Sequence, residues 1–348
     1  MAKLLRTTLV AGAAVALALT TAPAGAAGTG QLPFPSGTGV GVHNSYEKAT
    51  FPYFADALDS GAAMLEIDVW TNIYGASWRV SHSNPIGNDN NCANATTVAA
   101  LRTQSRNRDL PGCLTDIRTW HDANPGHRPI VLKLEMKDGF QGQGGRGPAA
   151  LDALLTSKLG DALFRPADLM GDHPDLDTAA QANAWPTRDQ LAGKFVVELI
   201  PGTVEEQNPF DTLWTDREYA IHLRDLKAAG RIGEASAFPA VHNAQAGDPR
   251  VRYTDASLRP WFVFFDGDAT AYAAGTIDTA WYDRRHYFLL MTDAHNVAPA
   301  IDSVNPTEQQ ARDRLDLLAQ RHASLITSDW HGLTGVLTTV VPRATAAE

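Results

Sequence analysis

Apolar positions along the chain fall into two rhythms. Short runs rich in β-branched, aromatic and leucine residues predict strands at 39–43, 64–69, 78–82, 129–135, 194–200, 261–265, 286–292 and 324–327. Between several of them, apolar residues recur every three to four positions and predict helices at 52–58, 114–122, 148–159, 215–229 and 307–320. Pro306-Thr307 ahead of the last helix and Gly230 behind 215–229 suit a helix start and a helix stop. Strands alternating with helices indicate parallel βαβ units. Eight such strands predict an α/β fold in one domain, a distorted TIM (β/α)8 barrel with irregular later units. An open doubly wound sheet is the main competitor, but no Gly-rich turn of the dinucleotide-cradling type follows the first strand. No internal repeat or linker divides the chain, and the Gly-rich stretch 139–148 reads as a loop.

The first 26 residues depart from this rhythm. Lys3 and Arg6 precede an apolar run over 9–19, and Ala24-Gly25-Ala26 supplies the small residues of a cleavage site. The run is shorter than the roughly 20 residues a membrane span needs. Residues 1–26 therefore read as a signal peptide, 27–348 as the barrel, and the protein as secreted with no integral membrane segment. Export suits the two cysteines, Cys92 and Cys113, which an oxidising exterior would pair. Closing that loop would contribute about 3 kcal/mol in the chain-entropy model. With 29 Lys plus Arg against 39 Asp plus Glu, the net charge is −10, so no overall basic surface exists to hold nucleic acid.

The polar residues of interest close the strand candidates. His43-Asn44-Ser45-Tyr46 follows the first, Glu66 and Asp68 lie in the second, Ser81-His82 end the third, and Lys133 and Glu135 lie in the fourth. In a barrel, all strand C-termini open onto one face. Residues two apart on a strand share a face, so Glu66 with Asp68, and Lys133 with Glu135, project together into the barrel while Leu65, Ile67 and Val69 face the helices. An unpaired carboxylate there would cost several kcal/mol, and a cation removes that cost. Glu66, Asp68, Glu135 and the Asn44 amide oxygen form an all-oxygen donor set. It suits a hard ion, calcium ahead of magnesium, whereas zinc would recruit the histidines. His43 and His82 can serve as general base and general acid. A cation beside two imidazoles points to phosphodiester cleavage by a neighbouring hydroxyl.

At these residues the sequence resembles the catalytic X-region of the phosphoinositide-specific phospholipases C, most closely the secreted, calcium-dependent bacterial branch. The resemblance rests on His43-Asn44-Ser45-Tyr46, Leu65-Glu66-Ile67-Asp68-Val69-Trp70, Ser81-His82 and Val131-Leu132-Lys133-Leu134-Glu135, and spans about 39 to 137. It implies a distorted TIM barrel that cleaves phosphatidylinositol to diacylglycerol and a cyclic inositol phosphate. By the same resemblance His43 and His82 are catalytic, and Asn44, Glu66, Asp68 and Glu135 hold Ca2+. His82 would be the acid toward the diacylglycerol oxygen and His43 would act on the attacking side, with Glu66 or Glu135 as the alternative base. Glu198 stands where eukaryotic members carry a lysine for added headgroup phosphates, so an unphosphorylated headgroup is expected. Lys133, Asp293 and Trp330 are further substrate-binding candidates. Exposed aromatic residues at the mouth (Trp70, Trp78, Trp330) would dock on a membrane or micelle surface. The protein is expected to act as a monomer. A glycerophosphodiester phosphodiesterase is the nearest rival, although its usual Arg after the first His is Asn44 here. A secreted, non-catalytic lipid- or sugar-binding barrel is the other.

Overall fold

A computed structural model describes residues 28–71 and 77–347; the expected signal segment lies outside them. Eight strands run parallel: β1 (Gly37–Val42), β2 (Met64–Trp70), β3 (Ile130–Met136), β4 (Phe195–Pro201), β5 (Phe238–His242), β6 (Phe264–Asp268), β7 (Phe288–Thr292) and β8 (Leu325–Ser328). Each pairs with the next in chain order, and β8 pairs with β1, so the sheet closes into a barrel and the open-sheet alternative falls. Closure demands close approach at β1, where an added Cβ on Gly41 would lie 2.8 Å from the Met64 Cβ.

The helices Phe54–Asp59 (α1), Leu110–Ala123 (α2), Pro148–Leu159 (α3), Thr215–Ala228 (α4) and Glu308–Ala319 (α5) match the predicted ones to within a few residues. Thr307 caps α5 by accepting from the Gln310 N–H, and the Gln310 side chain accepts from the Thr307 N–H in return. The later units are irregular, as expected: 3-10 turns link β5 to β6, and two five-residue helices, Ala269–Ala273 and Ala280–Arg284, link β6 to β7.

Two strand assignments change. The expected strand at 78–82 is only the two-residue Arg79–Val80, running antiparallel against the end of β2 outside the barrel. The eighth barrel strand is instead β5, Phe238–His242, which the sequence pattern did not reveal. Cys92 and Cys113 form the expected disulfide, tying the excursion after Val80 to α2. Asp116 on α2 reinforces it by accepting from the Ala93 and Ala95 N–H groups, both at 2.6 Å.

Phe238, Phe264 and Phe288 open three successive strands, and their rings form a chain that ends on Phe34, each in contact with the next at centroid distances of 4.7 to 5.2 Å. Each buried ring contributes roughly 1.5–3 kcal/mol. Together they plug the N-terminal end of the barrel, leaving the polar C-terminal end open.

Candidate active site

The register of β2 against β3 sets the first half of the site. Glu66 pairs with Lys133 and Asp68 with Glu135, so the inward residues form two cross-strand rows. Carboxylate oxygens of Glu66, Asp68 and Glu135 lie within 4.8 Å of one another. Asp68 is buried and neither of its oxygens accepts a well-formed hydrogen bond. Lys137, one pleat beyond Glu135 on the same face, places its ammonium 3.1 Å from Asp68 and 2.8 Å from Glu135. Burial, with the Glu135 and Glu66 charges added, pushes the Asp68 carboxyl well above its ordinary range.

Asn44 sits two residues after β1 in the left-handed region, φ 52°, and its N–H donates to Glu66 Oε2 at 3.0 Å. The Tyr46 hydroxyl donates to Asn44 Oδ1 at 3.3 Å and packs against Asp68, so the amide oxygen stands beside the carboxylate trio.

His43 is held from both sides. Its Nδ1 hydrogen-bonds Asp329 Oδ1 at 2.9 Å, and its Nε2 lies 3.6 Å from Glu66 Oε2. Burial alone would lower the imidazole pKa, but the Glu66 and Asp329 carboxylates outweigh it and raise it to about 9 in the metal-free cluster. Asp329 follows β8, which barrel closure brings beside β1. His82 follows Arg79–Val80; Val80 pairs with Val69, and the chain runs back along β2 toward the end of β1. Its side chain is exposed and has no hydrogen bond among the described residues.

His43, Glu66 and Glu135 join Lys133, His242, Asp266 and Asp293, among others, in lining a pocket of about 140 Å³; Asn44, Asp68 and His82 are not in its wall. Lys133 binds Asp266 at 2.8 Å and lies 3.5 Å from Glu66. His242, at the end of β5, is held by Glu206 at 3.0 Å through Nδ1. Burial opposes its protonation, but Glu206 and Asp266 raise its pKa. Sequence reasoning found no role for His242, Asp266 or Glu206: His242 ends the unrecognised β5, whereas Asp266 directly follows the predicted strand 261–265 and could have been found there. Asp329 follows the eighth predicted strand, and a carboxylate closing the eighth strand of a closed barrel must meet the residue closing the first.

The family model for calcium-dependent phosphoinositide phospholipase C matches residues 52–226. A solved Ca2+-dependent phosphatidylinositol-specific phospholipase C from Streptomyces antibioticus is 62% identical, over 89% of this chain and 99% of that one, with a TM-score of 0.89. The chain belongs to the calcium-dependent phosphoinositide phospholipase C family. A calcium-dependent phosphoinositol-specific phospholipase C from a Pseudomonas species, solved with myoinositol, shares the fold at 22% identity and TM-score 0.67, covering 90% of this chain and 96% of that one. No curated protein sequence matches the chain.

The residues present fit the calcium of this phospholipase C family. Their donors are hard oxygens, they sit within one ion's reach, and the buried Asp68 oxygens accept no well-formed hydrogen bond.

Two expectations for this family member are corrected. Trp70, Trp78 and Trp330 are all buried, so none is an exposed docking residue. Trp330 is 0% exposed with its Nε1 on the Asp302 carbonyl at 3.3 Å, and it lines no part of the pocket; the turn after β8 folds the indole inward and turns Asp329 to His43. Glu198 also lies beneath the pocket rather than in its wall, 0% exposed with both oxygens unpartnered. Burial and the nearby Asp266 charge push its carboxyl up, against the pull of the Lys133 ammonium. Asp293 and Lys133 do line the pocket, Lys133 as an already ion-paired ammonium.

Proposed function

We propose that this chain is a secreted phosphodiesterase that cleaves phosphatidylinositol to diacylglycerol and a cyclic inositol phosphate by histidine acid–base catalysis. The observation that carries the reading is His43, clamped between Asp329 and Glu66 at the rim of a ring-sized pocket beside the carboxylate trio. Asn44, Glu66, Asp68 and Glu135 would hold the calcium, which supplies charge neutralisation at the phosphate and lowers the pKa of a nearby hydroxyl. Asp329 fixes the His43 tautomer and ring plane, as a carboxylate does for a catalytic imidazole. The inositol 2-hydroxyl attacks phosphorus and its proton passes to the His43 side of the site. The bond to the glycerol oxygen breaks, and His82 donates the proton that the leaving diacylglycerol needs. Water can later open the cyclic ester with the roles reversed.

Every cation lining the pocket is already paired: His43 with Asp329, Lys133 with Asp266 and His242 with Glu206. None is free to grip an added headgroup phosphate, which supports preference for the unphosphorylated lipid. Val204, Phe210 and Leu213, in the segment that follows β4 at the open end, are exposed, Phe210 at 93%. They would enter the lipid surface in place of the buried tryptophans. Export would follow from the segment 1–26 and agrees with the disulfide. The eight barrel strands are paired all round, in keeping with a monomer.

Product analysis on phosphatidylinositol vesicles, with and without a calcium chelator, tests the reading. Calcium-dependent release of diacylglycerol is expected. His43→Ala and His82→Ala should each lower turnover by at least about two orders of magnitude. Activity confined to glycerophosphoinositol would overturn it in favour of a glycerophosphodiesterase.

A further inference from the structure

A cavity of about 430 Å³ lies at the end of the barrel opposite the catalytic pocket. It opens among the segments that lead into β1, β3 and β4, where Thr29, Arg128 and Arg188 stand, and Thr338, just past the short helix Thr334–Leu337, forms a further wall. Nothing in the proposed reaction uses it.

Two guanidinium groups line this cavity. Arg188 is only 7% exposed, yet its side chain makes no hydrogen bond and no ion pair among the described residues. Its guanidinium carbon sits 5.5 Å from the centre of the Phe34 ring. Arg128 donates from Nη1 to the Gly61 and Thr338 carbonyls, at 3.3 and 2.8 Å, and keeps its remaining donors. Burial, with repulsion from Arg128 added, lowers the Arg188 pKa to about 10, and burial lowers that of Arg128. Asp189 is the one carboxylate in the wall among the described residues. It is exposed, accepts from Gln31 Nε2 at 2.7 Å, and ion-pairs with neither arginine.

Arg343, buried at the same end, shows how a structural arginine is satisfied. Its Nη1 donates to the Pro35 and Tyr287 carbonyls and to Ser324 Oγ, and Asp283 lies 3.1 Å from its Nε. Arg188 has no such partners. Burying a guanidinium without a counter-charge is costly, and the cavity beside it is where a counter-charge would sit.

The walls narrow the occupant. Forks arriving from the β3 and β4 sides call for a centre with more oxygens than a carboxylate offers, and phosphate meets both forks at once. At ~30 Å³ per water the cavity equals about fourteen waters, room for a tetrahedral oxyanion and a substituent. The Asp189 charge opposes an extended polyanion such as nucleic acid. We propose that the cavity between Arg128 and Arg188 is a phosphate-binding site, for inorganic phosphate or a phosphate monoester, at the base of the barrel. It is independent of the lipid reading.

The test titrates the full chain with inorganic phosphate and with glycerol phosphate by calorimetry. A calcium chelator keeps any metal at the carboxylate trio from holding either ligand, and chloride matches the ionic strength. One saturable site per chain is expected. Arg188→Gln should weaken it at least about tenfold. Asp189→Asn keeps an acceptor for Gln31 but removes the opposing charge, and should tighten binding by about threefold or more, a gain that misfolding cannot imitate. Tighter binding of glycerol phosphate assigns the site to a monoester, and tighter or equal binding of the free ion assigns it to inorganic phosphate. Absence of saturable binding, wild-type affinity in Arg188→Gln, or weaker binding in Asp189→Asn would overturn the site.

Discussion

Replacing Lys137 by Gln separates calcium binding from the chain's own charge balance. The Lys137 ammonium stands 3.1 Å from Asp68 and 2.8 Å from Glu135, where it neutralises two of the carboxylates that would hold calcium. At an effective dielectric of about 20, each unit-charge pair near 3 Å is worth roughly 5 kcal/mol before desolvation. An incoming divalent ion must displace the ammonium from those contacts or bear its repulsion. Most of the gross attraction is offset by the desolvation of a lysine only 6% exposed, which leaves about 1–3 kcal/mol of net competition. Lys137→Gln should therefore tighten calcium binding by about ten- to a hundredfold. The same change leaves three clustered carboxylates without their cation, so the metal-free variant should melt several degrees lower while the calcium-loaded one recovers. Titration calorimetry at fixed pH, with melting curves in chelator and in calcium, reads both effects. Unchanged or weaker calcium affinity would refute the reasoning, because the ammonium would then support the metal rather than compete with it.

Three further outcomes follow from other parts of the molecule. Asp329→Asn keeps the shape but removes the charge on His43 Nδ1, a charge-assisted bond worth about 1.5–3 kcal/mol. The His43 pKa should fall, checked by the histidine proton resonances in the metal-free protein, and turnover should drop more than KM changes. Phe210→Ser removes a ring that is 93% exposed, and should weaken sedimentation with phosphatidylinositol vesicles by about tenfold or more while leaving activity on dispersed short-chain lipid intact. Glu205, buried with Oε1 on the Thr215 N–H at 2.7 Å, has its pKa raised by burial to about 9. Its folded pKa exceeds the unfolded one, so its contribution to stability is full below about pH 4.5 and declines as pH rises toward 9. Glu205→Gln should flatten the fall in melting temperature across that window, and an unchanged slope would exclude Glu205 as its source.

What the sequence made legible was what local geometry decides. Period two put Glu66 with Asp68 and Lys133 with Glu135 on inner faces, and the parallel register then set them side by side. β5 escaped notice because Phe238-Pro239-Ala240-Val241-His242 is five residues long with a proline inside, and proline argues against a central strand. The segment 78–82 has the better strand composition, yet it pairs only at the edge that β2 exposes once β1 has ended at Val42. Errors in the aromatic residues have a different origin. An indole suits a membrane surface and a core equally well, so Trp330 could not be placed until the turn after β8 was seen to fold it inward.

Barrel closure explains why the site is assembled as it is. β1 and β8 are 280-odd residues apart in the chain, yet their paired ends juxtapose His43 and Asp329, whereas the carboxylate trio needs only the neighbouring pair β2 and β3. The oxygen cluster is thus a local product of two strands, and the imidazole clamp a product of the completed barrel. Fixing the clamp requires β8 to dock on β1, so a change that loosens that seam would disturb His43 before it reached Asp68 or Glu135.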